Sequence, residues 1–288
     1  MRMTKRLFLP SHNNVETYWK QVDGILVGIE DMSVNVPLLL KMEEVTPFVQ
    51  CVNAVQKEIF IALNKNFEEK DLVSLQEILC QLDSLEITGI LFYDVALVTL
   101  HKELHLKTPL VWGQEHAGTN YATCNFWYDN GIPYGLLSAE ITLKEIKQIK
   151  EHTNMKLMVP IFGYLSMFVS KRPFITNYTK HFGLLKKGDH YTLEKEGGSY
   201  PIVETKEGTT IYSGRILLGT KEYLELMEAE IDYVLINSFL IPEDEMKKVL
   251  EIYQTPTAEN LDRLEQLFPN SEKGFLYKET VYKVKKYD

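Results

Sequence analysis

Short apolar runs alternate with longer amphipathic segments along most of the chain. Seven runs precede residue 171, and the repeat resumes further on; the runs are 6–10, 23–28, 58–63, 88–93, 109–112, 134–137, 156–160, 216–218 and 231–236. Each run is almost continuously apolar, which is typical of strands covered on both faces of a parallel sheet. The segments between them, such as residues 68–85 with their leucines on one side, predict amphipathic helices.

Eight such strands joined by right-handed helical connections close most economically into a TIM-like (β/α)8 barrel, whose outline need not be regular. An open doubly wound sheet is the alternative. Gly24 and Gly28, in the second run, do not have the spacing of the glycine-rich phosphate-binding turn that such sheets often carry. The barrel is therefore the predicted fold.

The strand and helix repeat is interrupted after the seventh strand. Glycine-containing turns bracket short β-forming runs between about residues 186 and 214, which predicts a small antiparallel excursion. We expect a barrel domain over residues 1–255 that contains this insertion, followed by a C-terminal helix and basic tail over residues 256–288.

Composition narrows the function classes. The net charge of -9 and the pI near 5.4 argue against a broad electropositive surface, so a nucleic-acid partner would have to be met by a local patch. No apolar run approaches the length of a membrane span, and the apolar run near the N-terminus is too short for a signal peptide. Three widely spaced cysteines indicate neither a disulfide framework nor a thiolate metal site. We expect a cytoplasmic protein without a metal.

Polar residues follow the ends of the predicted strands, where parallel α/β folds bind their ligands. The segment from Thr108 to Arg172 is the richest, because three strand ends within it each lead into a polar cluster. The barrel would gather on one rim His12, Glu30, Asn64, Asp94, Gln114, Glu115, His116, Glu140 and the loop 163–172. Polar residues at strand ends also cap helices and satisfy loop backbone, so a structural role is the alternative for each.

Three of these residues are candidate catalytic groups, namely Glu140, Glu115 and His116, because a histidine beside a carboxylate can transfer protons near neutral pH. Adjacent residues on a strand point in opposite directions, however, so Glu115 and His116 are not expected to act as one unit. The candidate ligand-binding residues are Asn64, Asn120, Lys171, Arg172 and Arg215. For Asn120 the alternative is that it lies at a helix start capped by Thr119.

The densest basic patch has aromatic neighbours and contains Lys171, Arg172, Tyr178, Lys180, His181, Lys186 and Lys187. Such a patch can bind phosphates, so a nucleic acid is a candidate partner at this place. A solvated loop is the alternative, and the negative overall charge favours it.

Several motifs resemble the collagenase-like peptidase family U32, over about residues 5 to 253. The motifs are residues 23–28, 61–64, 118–120 and 137–140, and Gly163 with Met167 and Ser170. Residues 118–127 and 168–172 are similar to the smaller of two paired Gram-positive members. The resemblance implies a barrel-like fold and a bacterial cytosolic protein.

For function, the resemblance implies a component of tRNA wobble-uridine hydroxylation that binds a small carboxylate or an RNA element at the barrel rim. Prephenate is the small molecule it suggests, and a larger paralogue carrying an iron–sulfur cluster is the partner. Many members hold that cluster with four cysteines, whereas this chain has Phe162-Gly163 and then Ser166 at the matching place. The family name leaves peptide hydrolysis as one alternative, and a non-catalytic scaffold is another.

Overall fold

The computed structural model describes residues 3–114, 116–195 and 198–278. The strands within these ranges, in chain order, are β1 (Lys5–Leu9), β2 (Gly24–Ile29), β3 (Leu39–Leu40), β4 (Glu58–Leu63), β5 (Gly89–Phe92), β6 (Leu110–Trp112), β7 (Tyr134–Leu136), β8 (Lys156–Gly163), β9 (Ser166–Ser170), β10 (His190–Lys195), β11 (Gly198–Thr205), β12 (Gly208–Tyr212), β13 (Leu217–Leu218) and β14 (Tyr233–Asn237).

The helices in the same ranges are α1 (Met42–Ala54), α2 (Leu72–Asp83), α3 (Ala96–Glu103), α4 (Tyr121–Asp129), α5 (Leu143–Glu151), α6 (Phe174–His181), α7 (Lys221–Glu228), α8 (Glu243–Gln254) and α9 (Ala258–Leu267). Short 3-10 turns occur at Glu16–Tyr18 and Glu69–Asp71. None of the helices in the described ranges combines the length and apolar character that crossing a membrane requires.

Eight parallel strands form a closed barrel, as predicted. Its strands follow the order β1, β2, β4, β5, β6, β7, β8 and β14, and β1 pairs with both β2 and β14 to close the ring. The barrel core consists of alternate residues such as Leu7 and Leu9 of β1 and Phe60 and Ala62 of β4. The intervening residues, such as Phe8, pack outward against the helices. Burial of both faces explains why each strand is a continuous apolar run.

A separate antiparallel sheet of four strands follows the seventh barrel strand, as predicted. Its order is β10, β11, β12 and β9. The sequence pattern indicates only the strands beyond residue 186, whereas β9, which joins the sheet through β12, comes from the loop expected on the rim. Pairing with a distant strand, rather than local composition, creates β9.

The prediction that residues 216–218 belong to the parallel repeat is wrong. Leu217 and Leu218 pair antiparallel with Gly163 and Phe162 at the end of β8. The chain returns from the small sheet at the carboxyl end of β8, so β13 runs along β8 in the opposite direction. The eighth barrel strand is instead β14.

Two helix predictions have different outcomes. Thr142, followed three residues later by Glu145, predicts a helix start, and α5 begins there: the Thr142 hydroxyl accepts from the Glu145 backbone N–H, and the Glu145 carboxylate accepts from Thr142. Residues 33–53 predict two helical pieces interrupted at Pro37 and Pro47, but the break at Pro47 is wrong, because α1 continues through it. Burial of Val45, Val49 and Val52 on one side of α1 outweighs the absence of one backbone hydrogen bond at the proline.

The C-terminal part of the described chain packs on the barrel. Leu261 and Leu264 of α9 belong to the same apolar core as Leu250 of α8. The proposed boundary between residues 255 and 256 stays a prediction. The basic tail around residues 283–286 lies outside the described residues, and so does Glu115.

Candidate functional site

A cavity of about 410 Å³ opens at the carboxyl ends of the barrel strands. Its floor is apolar and consists of barrel residues, among them Leu9, Leu26, Leu91 and Leu235. Polar residues ring the floor where strands end, including Asn64 after β4, Ser138 after β7 and Asn237 of β14. The cavity therefore has the place and the lining, apolar with a few polar groups, that ligand sites of barrel proteins have.

The small antiparallel sheet and the C-terminal segment form the cover of this cavity. Tyr200 of β11 and Tyr212 of β12 line it from the sheet, and Phe275 and Lys278 line it from the C-terminal side. Tyr164, between β8 and β9, is a further phenol at the wall, and burial raises its pKa. The antiparallel excursion is thus part of the site and not a remote appendage.

Two predicted catalytic residues meet at the cavity wall. His116 Nδ1 lies 3.5 Å from Glu140 Oε1, and about half of each side chain is exposed, at 60% and 48%. The two residues come from the loops after β6 and β7. His116 therefore contacts a carboxylate on the next loop, that of Glu140. When the imidazole is protonated the two groups form an ion pair.

A close backbone approach holds these two loops together. The Ser138 backbone N–H donates to the Gly118 carbonyl at 3.0 Å. A Cβ at Gly118 would lie 2.8 Å from the Leu136 carbonyl oxygen, so no larger residue fits there without displacing the loop. The Ser138 hydroxyl in turn accepts from the Glu140 backbone N–H at 3.1 Å. The Gly118-Thr-Asn120 motif therefore positions His116 opposite Glu140.

Charged groups of both signs line the cavity. The cations are Arg215, which follows the small sheet, and Lys278; Glu272 and Glu140 are the carboxylates. Arg215 carries a planar guanidinium that can bind a carboxylate through two parallel hydrogen bonds. The lining therefore combines two cations, two carboxylates and several hydroxyls with an apolar floor.

Asn64 lines the cavity, but its amide is occupied. Its Oδ1 accepts from the Val34 backbone N–H at 3.0 Å, and its Nδ2 donates to the Val34 carbonyl at 2.8 Å. The side chain is buried, and it fixes the loop that carries Asn35 and Val36 to the cavity. Asn64 therefore shapes the wall.

Three other predicted ligand-binding residues do not line this cavity. Asn120 is the N-cap of α4, where its Oδ1 accepts from the Thr123 backbone N–H at 2.9 Å. Lys171 and Arg172 are exposed at the end of β9, and Lys171 lies 3.5 Å from Glu68. Of the predicted set, the structure brings together at the cavity Asn64, His116, Glu140 and Arg215.

Several cavity residues carry no signal in the sequence. Tyr200, Tyr212 and Lys278 reach the cavity through the cover, and no local pattern connects them with a barrel rim. Asn237 could have been predicted from the rule that ligand-binding residues lie at strand ends, because it is the last residue of β14. It lies so close to Gly163 that a Cβ on that glycine would come within 2.6 Å of the Asn237 carbonyl oxygen.

The cysteines do not fit an iron–sulfur cluster. Cys51, Cys80 and Cys124 lie on the three separate helices α1, α2 and α4. Cys124 is buried in the core, and burial raises the pKa of its thiol to about 11. Within residues 3–114, 116–195 and 198–278, no three His, Cys, Asp or Glu residues are grouped as a metal site requires.

Comparison with known proteins identifies a matching family and relatives of similar sequence. The sequence profile described as Peptidase family U32 matches residues 13–274. The chain is 29% identical over 284 residues to the tRNA hydroxylation protein P2 of Bacillus subtilis, which covers 90% of this chain and 92% of that protein. It is 25% identical to an uncharacterized protease of Methanocaldococcus jannaschii, over 72% of this chain and 53% of that protein.

A solved structure described as a U32 peptidase shares the fold. It superposes with a TM-score of 0.53 and 15% identity, over 82% of this chain and 93% of the other. The tRNA hydroxylation protein P of Escherichia coli is 28% identical over 91 residues, which is 31% of this chain and 20% of that protein.

Proposed function

The chain belongs to peptidase family U32, and from that premise we propose that it is a component of tRNA uridine hydroxylation. The observation that carries the proposal is the match to the Bacillus subtilis tRNA hydroxylation protein P2 over nearly the whole length of both chains. A match of that extent includes both the barrel and the small sheet that covers the cavity.

The ligand that we propose for the cavity is a small carboxylate, with prephenate as the first compound to test. Arg215 would bind a carboxylate through its guanidinium, and Lys278 would add a second positive charge. The apolar floor at Leu26 and Leu91 would pack against the carbon skeleton. The floor would thus contact the apolar part of the ligand, and the cations of the lining would bind its carboxylate groups.

The proton-transfer groups that we propose are His116 and Glu140. Their contact at 3.5 Å lets the carboxylate orient the imidazole, so that its other nitrogen is available to the cavity. Glu115 stays a candidate from the sequence alone. Arg172 and Lys171 lie outside the cavity, and we propose that they contact RNA instead.

The redox chemistry of hydroxylation would come from a partner protein. A cluster needs several thiolates in one place, and the cysteines of this chain are spread over three helices. We propose a larger, cluster-bearing paralogue as that partner, with this chain supplying the carboxylate site. The residues of this chain would bind, orient and move protons.

The experiment that tests the proposed function is deletion of the gene, followed by mass spectrometry of the nucleosides from total tRNA. We expect the hydroxylated wobble uridine to fall strongly and the unmodified uridine to rise by the same amount. An unchanged nucleoside profile in the deletion strain rules the proposal out. A profile restored by a variant that lacks both His116 and Glu140 would favour a non-catalytic scaffold.

Peptide hydrolysis is the second candidate, and the names of the family and of the archaeal relative favour it. The most direct test is incubation of the purified protein with casein and gelatin. Cleavage that disappears in the Glu140→Ala variant would support a peptidase, whereas an inactive wild-type protein would exclude one under those conditions. Cys124 is not a nucleophile in this scheme, because its buried thiol has a raised pKa.

A further inference from the structure

One part of the chain has a charge opposite to that of the whole molecule. No Asp or Glu occurs between residues 152 and 188, although the chain has 40 of them and a net charge of -9. The same stretch contains Lys171, Arg172, Lys180, Lys186 and Lys187. The structure places these cations at the end of β9, on α6 and in the loop after α6. A strong local excess of positive charge on an acidic protein marks a surface for an anionic partner.

Exposed aromatic rings lie on the same surface. Phe174, Tyr178 and Phe182 are spaced four residues apart, so they share one side of α6, and their exposed fractions are 37%, 59% and 59%. The adjoining side of α6 is buried through Ile175 and Thr179. We name this surface the β9–α6 face and define it by Phe168, Arg172, Phe174, Tyr178, Lys180, His181, Phe182 and Lys187.

The rings of the β9–α6 face contact one another in two groups. Phe168 stacks on Phe174, with ring centroids 5.9 Å apart and planes inclined by 26°. Tyr178 and Phe182 lie 4.8 Å apart, and His181 packs edge-on against Phe182 at 4.7 Å. Flat exposed rings are the surfaces on which unpaired nucleobases stack.

The cations of this face are available to a partner. Lys186 is held by Glu204 and Asp189, both at 2.9 Å, and Lys171 lies near Glu68. Arg172, Lys180 and Lys187 are exposed, and no carboxylate in the described part of the chain pairs with them. Three exposed cations of the face therefore have no carboxylate partner among the described residues.

The face is held rigidly and is continuous with the cavity. The Glu204 carboxylate of β11 accepts from the backbone N–H groups of Ile175 and Thr176, which fixes the start of α6 on the small sheet. On β9, Ser166 and Met167 line the cavity, and Phe168 is the next residue along the strand. The face and the cavity therefore share strand β9.

We propose that the β9–α6 face binds a single-stranded RNA loop. Four of the five cations between residues 171 and 187 are lysines, and lysine is depleted from protein interfaces but binds phosphates well. The combination of stacking rings and unpaired cations is that of proteins which hold unpaired nucleotides. The inference rests on the proposed function in one respect, because that function makes the RNA a tRNA loop.

Fluorescence anisotropy tests this with the full-length protein and a labelled tRNA anticodon stem-loop transcript. The wild-type protein should bind the stem-loop at least about tenfold more tightly than a blunt RNA duplex of equal length, because bases in a duplex cannot stack on the rings. The Tyr178→Ala/Phe182→Ala variant should bind at least about tenfold more weakly than the wild type. The Arg172→Glu/Lys180→Glu variant should lower the slope of log K against log salt by about 1.4, because each phosphate that a cation neutralises adds about 0.7 to that slope.

Matched controls change the same chemistry elsewhere. The Lys247→Glu/Lys248→Glu variant reverses two exposed charges on α8, and Phe126→Ala removes a ring of α4 that is 58% exposed. Both should bind the stem-loop as the wild type does, and circular dichroism should show all variants folded. Equal binding by wild type and face variants, absence of RNA binding, or equal affinity for the duplex overturns the inference. Failure of the face variants to bind a protein partner, with RNA affinity intact, would overturn it in favour of a protein interface.

Failure of this inference is separable from failure of the proposed function. If gene deletion abolishes wobble-uridine hydroxylation but the face variants bind RNA normally, the face is wrong and the function stands. If the face binds RNA but deletion leaves the nucleosides unchanged, the face is an RNA site and the hydroxylation role is wrong.

Discussion

Arg215 and Asn120 show how differently two polar residues with similar sequence appearance can act. Arg215 lines the open cavity, whose floor is mostly apolar. Asn120 uses its side chain to cap the first turn of α4. A polar residue at a strand end is a candidate ligand contact only when its hydrogen-bonding capacity is not used by nearby backbone.

Replacing Arg215 should remove the response to a small carboxylate. In a thermal unfolding assay, prephenate at about ten times its Kd should stabilise the wild type by about 1.4 kcal/mol, which is a shift of a few degrees in Tm. The Arg215→Ala variant should show no shift at that concentration. Arg263→Ala, which removes an exposed arginine of α9 outside the cavity lining, should respond as the wild type does. An equal shift in Arg215→Ala would contradict the assignment.

Replacing Asn120 should affect stability and not ligand binding. The Asn120→Ala variant lacks the cap of α4 and should unfold with about 1 kcal/mol less free energy in urea titration. Asn120→Ser keeps a capping oxygen and should be nearly as stable as the wild type. Absence of the carboxylate response in both variants, at unchanged stability, would show that Asn120 binds the ligand after all.

At the scale of the elements, one buried carboxylate fixes the position of α6. Burial alone raises the pKa of Glu204, but hydrogen bonds from the Thr176 hydroxyl, the Lys186 ammonium and the backbone of Thr176 and Ile175 outweigh burial and lower it to about 2. The carboxylate also lies at the N-terminus of α6, where the helix dipole favours negative charge. The charged form of Glu204 is therefore the form that stabilises the small sheet.

The Glu204→Gln variant should reveal this contribution through its pH dependence. The folded-state pKa of Glu204, about 2, lies below the value of about 4.3 for an unfolded chain, so its contribution is complete above that pH and is lost as the pH falls towards 2. At pH 7 the variant should be less stable than the wild type by about 2 kcal/mol in urea unfolding.

The difference between wild type and Glu204→Gln should shrink as the pH falls from about 4 towards 2. The matched control is Glu194→Gln, on the exposed strand β10 of the same sheet, which should stay within about 0.5 kcal/mol of the wild type. A stability difference that is constant with pH, or that increases in acid, would show that the charge of Glu204 is not what anchors α6.

The elements that could be predicted are those whose pattern is local. Each barrel strand is buried on both faces and forms an apolar run in the sequence, and α5 begins with a capping pair that lies within four residues. The break expected at Pro47 is wrong, because α1 is held together by the packing of its buried side, and that packing is a tertiary effect. The direction of β13 could not be predicted from the sequence, because it depends on how the chain returns from the small sheet to β8.

At the scale of the whole molecule, barrel proteins bind ligands at the carboxyl ends of their strands, and this rule predicted part of the cavity lining. The segments that cover the cavity contribute the rest of the lining. Strand ends indicated Asn64, His116 and Glu140 because the carboxyl ends of parallel strands meet at one end of a barrel. Tyr200 and Lys278 could not be predicted, because they reach the cavity through long-range folding of segments that carry no such rule. The candidate site is thus lined by the carboxyl ends of the barrel strands, by the inserted sheet and by the C-terminal segment.

The most direct test is complementation of the gene deletion with wild type, Arg215→Ala or Arg263→Ala, with the hydroxylated share of wobble uridine measured by mass spectrometry. Wild type and Arg263→Ala should restore the modification fully. Arg215→Ala, expressed at the same level, should restore no more than about a tenth, because removing a charge-assisted hydrogen bond to the ligand costs about 1.5 kcal/mol or more. Full restoration by Arg215→Ala, or none by the wild type, would contradict the role of the cavity in tRNA hydroxylation.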